Sequence, residues 1–255
     1  MKTMAPATLL SLPAEIRLQI YELLLVNQES DVIPIRTEEP AVFDGKRSLY
    51  RRRTTYRIMS GRFRACSFQT TYHLAAKSTI YPSILGVNQQ LHREASHVLY
   101  SSHVFDFGQN VECVIPFFRD LTPTALSTIK RINIVQRALP YIKEFDRCEW
   151  RSVCKFISEN LELTQLGLGI LGGLPGAQWT PQDLYEKTAF EHITKFEGME
   201  WVRQVATIKG LRNLEVKAHM EHCPPPQSNA MAFFVNFSAS IEKGFADYLR
   251  ELMVI

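Results

Sequence analysis

Three stretches of this 255-residue chain share one apolar frame: Ile129-x-x-Ile132-x-Ile134, Leu163-x-x-Leu166-x-Leu168 and Leu211-x-x-Leu214-x-Val216. A strand points alternate side chains to opposite faces. The last two apolar positions of each frame therefore share one side of a strand. Helical stretches precede the copies, at about 111–128, 150–160 and 199–209, and a helix between parallel strands demands a right-handed crossover. Phe105-Asp106-Phe107 is a degenerate fourth copy ahead of them.

The frame is the one that leucine-rich repeats use for a short parallel strand. Its copies here are irregularly spaced, 34 and then 48 residues apart, and the positions that hold Asn or Cys in a true repeat are Arg137, Leu171 and His219. The sequence thus predicts an irregular, degenerate leucine-rich-repeat-like α/β array over 109–255; unrelated buried strands with a shared pattern are the alternative. Gly167-Leu-Gly169-Ile-Leu-Gly172-Gly173, followed by Pro175-Gly176, reads as a mobile loop that ends the middle strand. A dinucleotide fingerprint is the weaker reading of these glycines, since Pro175, Gly176 and Pro181 interrupt the helix it needs. Thr180-Pro181-x-Asp183 is expected to open a further helix. Beyond Pro224-Pro225-Pro226, the residues Phe234, Phe237, Ile241, Phe245, Tyr248 and Leu252 mark one amphipathic helix over 228–252, expected to cap the open end of the array.

Ahead of the array, residues 12–25 read Leu-Pro-Ala-Glu-Ile-Arg-Leu-Gln-Ile-Tyr-Glu-Leu-Leu-Leu. Pro13 suits the first helical position and Glu15 the first turn, where the helix dipole favours an anion. Leu12, Ile16, Ile20, Leu23 and Leu24 form an apolar stripe at helical spacing. A second block, Ile84-Leu-Gly-Val-Asn-Gln-Gln-Leu-His-Arg-Glu-Ala95, follows Pro82 and predicts a helix over 83–100. Between the blocks, Asp31-Val-Ile-Pro-Ile35 predicts a short edge strand, because proline cannot donate to a central ladder. Residues 54–58 and 63–68 alternate in the strand manner about a Ser60-Gly61 turn, which predicts a β-hairpin.

The two blocks together resemble the F-box-like proteins of unassigned function common in fungi, where a Leu-Pro-x-Glu-Ile-Arg-x-x-Ile-Tyr motif recurs. The resemblance implies a helical F-box-like N-terminal module over 1–108 with an inserted hairpin at 27–80, and so an α+β chain overall. It also implies a non-catalytic interaction module: a substrate receptor of a cullin-RING ubiquitin ligase, whose Skp adaptor docks on Leu12, Pro13, Glu15, Ile16 and Ile20. The chain departs from the ordinary F-box at Asn88, where Cys is usual, and at Leu91, near the usual Trp.

The formal charge of +3 is local. Lys46, Arg47, Arg51, Arg52, Arg53, Arg57, Arg62 and Arg64 lie in the hairpin region with no acid among them. The arginines at 51, 52, 53, 57, 62 and 64 are candidates for contacting a phosphate backbone or an acidic partner, so a nucleic-acid binder is the alternative function. Charge on a hairpin also keeps strand edges from aggregating. No apolar run approaches the roughly 20 residues of a membrane span, and the first residues do not form a secretory signal. An intracellular protein, cytoplasmic or nuclear or both, is expected. Cys66, Cys113, Cys148, Cys154 and Cys223 contain no Cys-x-x-Cys pair and are expected to be free thiols. His92 and His97 are five apart where a zinc-binding helix needs four, and His219-x-x-His222-Cys223 lacks a fourth ligand. No metal or cofactor is expected. Neither a nucleophile elbow nor a Walker loop occurs, so catalysis is not expected either.

Overall fold

The structure, a computed structural model, describes residues 8–26, 30–37, 53–58, 66–74, 80–138, 144–176, 184–196 and 198–255. Helix α1 spans Ala14–Leu25, with Pro13 at its N-cap and Glu15 in its first turn. Strand β1 (Val32–Thr37) precedes the hairpin of β2 (Arg53–Ile58) and β3 (Cys66–Leu74). Helix α2 (Gln89–Ser102) starts at Asn88, whose Oδ1 accepts from the Leu91 N–H at 2.9 Å, an N-cap that stops the preceding turn from running on. There follow β4 (Val104–Asp106), α3 (Val114–Arg119), α4 (Pro123–Thr128), β5 (Arg131–Arg137), α5 (Glu144–Asn160) and β6 (Gln165–Leu174). Helices α6 (Lys187–Ile193) and α7 (Glu200–Val205) lead to β7 (Asn213–His222), and α8 (Asn229–Ala239) and α9 (Ala246–Met253) complete the described elements.

The strands form one seven-stranded sheet in the order β2-β3-β1-β4-β5-β6-β7. The five from β1 to β7 are parallel, and β3 and β2 run antiparallel at one end. From β4 onward each new strand joins the same edge. The apolar frames consequently align in register: Ile132 beside Leu166 beside Leu214, and Ile134 beside Leu168 beside Val216. All six are buried. The alternate positions of these strands are half-buried or exposed, save Gly169 and Gly173 on β6, so among the described residues the helices cover one face and leave the other open.

Three expectations need correction. Asp31-Val-Ile-Pro-Ile35 is not an edge: β1 lies between β3 and β4. Pro34 is tolerated because it sits at a handover, where β4 pairs with Val32 to Pro34 and β3 pairs with Ile35 to Thr37. The Val104 N–H donates to the Asp31 carbonyl at 2.8 Å, so alternation along β1 turns the nitrogen of Pro34 away from β4. The loop expected across 167–173 is strand, the second half of β6. There, missing side chains let α8 approach: a Cβ on Gly173 would overlap the Phe234 ring, and the Gly173 N–H donates to Ser238 Oγ at 2.9 Å. The single helix expected over 228–252 is broken, with α8 and α9 meeting at a π-type turn over Ile241–Phe245. The expected hairpin pairing is present, with β2 antiparallel to β3 from Cys66 onward; residues 63–65, Ser60-Gly61 and Thr180-Pro181-x-Asp183 lie outside the described residues.

The C-terminal segment also fastens the outer edge of β7. The Leu211 N–H donates to the Met253 carbonyl at 3.1 Å, and the Ile255 N–H donates to Leu211 at 3.0 Å. Arg250 Nε donates to the Leu214 carbonyl at 3.4 Å, and Glu242 Oε1 accepts from the Ala218 N–H at 2.9 Å. An edge strand normally leaves such groups free for another chain. The core behind it is aromatic: Trp150 Nε1 donates to the Trp201 carbonyl at 3.1 Å, Trp201 packs on Phe245 at 5.7 Å, and Phe245, Phe190 and Phe237 pack on one another at ring spacings of 5.3 to 5.9 Å. Among the described residues no helix is long and apolar enough to cross a membrane.

Candidate interaction surfaces

The side of α1 that packs inward is not its apolar stripe. Arg17, Tyr21 and Leu25 recur every four residues, which at about 100° per residue gives a nearly straight row, and all three are buried. Their partner is Glu94 of α2. Arg17 donates through Nε to Glu94 Oε2 at 2.9 Å and through Nη2 to Oε1 at 2.7 Å, a two-pronged pair of the kind a guanidinium forms best. Tyr21 adds its hydroxyl at 2.7 Å and Gln90 its amide at 3.0 Å, while Arg17 Nη1 holds the Leu12 carbonyl at 2.7 Å. These donors, Arg17 foremost and then Gln90 and Tyr21, lower the Glu94 carboxyl to about 2. The same pairing raises Arg17, and burial raises the Tyr21 phenol. Charge and hydrogen bonds thus join the two sequence blocks.

The outer part of the stripe is thereby turned toward solvent, while Leu24 at its margin packs against the core. Ile16 is 42% and Leu23 70% exposed, Pro13 and Glu15 are exposed, and Leu12, Ile20 and Leu24 are half-buried. Of the expected adaptor-docking residues, Ile16 and Ile20 share this side of α1, with Leu12 and Pro13 just ahead of the helix. Reading the apolar spacing alone missed Arg17, Tyr21 and Glu94. The signal was present in the four-residue recurrence of Arg17, Tyr21 and Leu25.

A second surface lies on the open face of the sheet, where a groove of about 1040 Å³ crosses the parallel strands. The single position between the last two apolar residues of each frame supplies its floor: Asn133, Gly167 and Glu215 lie side by side, with Asp106 next in line. Gly167 and Gly169 make a trough along β6 into which neighbours lean. A Cβ on Gly167 would overlap the Asn133 amide, and one on Gly169 would sit 2.7 Å from His219 Nε2. At the β1 side Arg36 donates to both the carboxylate (2.5 Å) and the carbonyl (2.6 Å) of Asp106. At the β7 side Lys217 pairs with Glu215 at 2.7 Å. Amide, imidazole and compensated charges suit this groove to hydrogen-bonding a polar partner.

The basic candidates fare differently. Arg53 and Arg57 lie on β2, opposite Thr71 and Ser67 of β3; Arg51, Arg52, Arg62 and Arg64 lie outside the described residues. His92 Nδ1 lies 2.9 Å from the Leu85 carbonyl and His103 Nδ1 2.9 Å from that of Leu99. Cys113 and Cys154 are buried free thiols, and burial pushes both well up from their usual value, which keeps the nucleophilic thiolate from forming.

No curated protein and no solved structure matches the chain. Strand β7 and helices α8 and α9 lie beyond the segment for which a family relationship is found. That segment, residues 3–201, contains the Arg17–Glu94 clamp and the strands from β1 to β6, and through it the chain belongs to the family described as Domain of unknown function (DUF7730).

Proposed function

We propose that the protein is a non-catalytic interaction protein of the F-box type, a substrate receptor that offers α1 to the Skp adaptor of a cullin-RING ubiquitin ligase. In this reading the parallel strands form a degenerate leucine-rich-repeat-like array, and the groove on its open face takes the second protein. One observation carries the proposal: Ile16 and Leu23 stand in solvent on a side of α1 that its own packing does not use. Burying a large aliphatic side chain yields about 1.5–3 kcal/mol. A partner groove that accepts an amphipathic helix recovers that energy and reads the spacing of its anchors. The clamp supports the reading from the other side, since Arg17, Tyr21 and Glu94 hold α1 in place without drawing on the stripe.

The test is co-purification of the full chain with a Skp-type adaptor. Wild type is expected to bind, and Ile16→Asp combined with Leu23→Asp to weaken binding by about 100-fold or more, as loss of two central anchors does. Because both side chains are solvent-facing, the double variant should keep its unfolding midpoint, which thermal denaturation checks. A wild-type chain that fails to bind the adaptor removes the ligase assignment.

A further inference from the structure

Helix α2 uses one side for the core and the clamp, through Leu91, Glu94, Ala95 and Val98. Its other side, Gln89, His92, Arg93, Ser96 and His97, borders a cleft of about 490 Å³ closed by α4 and the turn at Leu85 and Gly86. We infer that this cleft binds a phosphate monoester. It is separate from the surfaces assigned above, so the inference does not rest on the adaptor reading.

Ser96 supplies the first observation. It is 5% exposed, borders the cleft, and its Oγ has no hydrogen-bond partner among the described residues. A buried hydroxyl left unpaired is costly, so such a group needs an account. The second is the balance of donors and acceptors. Asn88 spends its Oδ1 on the Leu91 N–H and Thr122 its Oγ1 on the Ala125 N–H, at 2.9 and 3.2 Å. Each has used its acceptor on a helix cap and retains its donor hydrogens. Arg93 offers donors only, and no acid pairs with it among the described residues. His92 is oriented by the Leu85 carbonyl, with its Nε2 the second ring nitrogen, and His97 stands one turn along from Arg93. No described residue lining the cleft is acidic.

A site rich in donors and lacking carboxylates suits an oxyanion. Several donors from two helices match the three terminal oxygens and double charge of a phosphate monoester better than the two oxygens of a carboxylate. The volume exceeds what a bare phosphate fills, and Leu85 and Ala125 offer apolar wall for the organic group.

Calorimetric titration of the full chain with phenyl phosphate, inorganic phosphate and benzoate tests this. Phenyl phosphate is expected to bind one to one and at least about 10-fold tighter than either of the others. Ser96→Ala should weaken phenyl phosphate by about 10-fold, the loss of one hydrogen bond to a charged group, and Arg93→Gln by a similar factor. Ser96→Ala should also keep or raise the melting temperature without ligand, since it deletes an unpaired buried hydroxyl; a merely structural serine would lower it. Absence of saturable heat with phenyl phosphate overturns the inference. So does benzoate or inorganic phosphate binding as tightly as the ester, or a stable Ser96→Ala chain binding like wild type.

Discussion

Replacing Glu94 with alanine should lower the melting temperature by on the order of 5 °C or more and detach α1 before the rest of the fold. The side chain receives four hydrogen bonds from Arg17, Tyr21 and Gln90, and its removal leaves the buried row of α1 facing a gap. Glu94→Gln keeps an oxygen in place and should cost less. The two variants separate shape from charge through pH. With the folded carboxyl at about 2 against an ordinary value of 4.5, the unfolded chain binds the proton more readily than the folded one. The contribution of Glu94 is thus complete above pH 4.5 and is lost as the pH falls toward about 2. Partial solvent exposure screens the pair, so the observed loss should be smaller than the lowered value alone implies. Urea denaturation at pH 6 and pH 3 reads it directly. Wild type should lose more stability between them than Glu94→Gln, and equal losses would refute the clamp.

Gly244→Ala is expected to destabilise the chain by about 3 kcal/mol, the upper range for forcing an extra methyl into a packed interior. Gly244 is buried in the turn between α8 and α9. A Cβ there would overlap the Tyr185 carbonyl and come within 2.9 Å of Glu186 C and 3.0 Å of Lys187 N. Backbone cannot rotate aside as a flexible side chain can. The contact is reinforced nearby, where Ser240 Oγ accepts from the Tyr185 N–H at 2.8 Å and donates to the Asn236 carbonyl at 2.7 Å. Gly86→Ala is the matched control. Nothing lies within 4 Å of its added methyl and its backbone is not in the left-handed region, so it should be neutral or slightly stabilising. Denaturant midpoints of the two variants give the comparison, and equal midpoints would remove Gly244 as the pin of the α8–α9 turn.

The residues legible in the sequence were those whose role follows from their own spacing. Ile132, Leu166 and Leu214 announced buried strands because burial on one face imposes a period of two whatever lies between, and the structure aligns them. Residues whose role is set by a distant partner were not legible. Gly167, Gly169, Gly172 and Gly173 have no side chains to signal a strand, and only the approach of Phe234, Ser238, Asn133 and His219 explains why they stay bare. Pro34 reads as an edge residue until two partners are seen to divide β1 between them. The periodicity of 228–252 runs unbroken through Ser240, yet the backbone leaves the helix at Lys243, next to residues that contact distant Tyr185. At the N-terminus the apolar stripe was visible and the inward row was not, because that row begins with an arginine whose burial depends on Glu94, 77 residues away.

The bonds along the outer side of β7 also bear on how the molecule meets other chains, since an open strand edge is a template for pairing. Here Met253, Arg250, Glu242 and Ile255 occupy backbone groups of Leu211, Leu214 and Ala218 that a following strand would need. A strand offered by another chain therefore meets occupied backbone groups along β7 as far as Ala218.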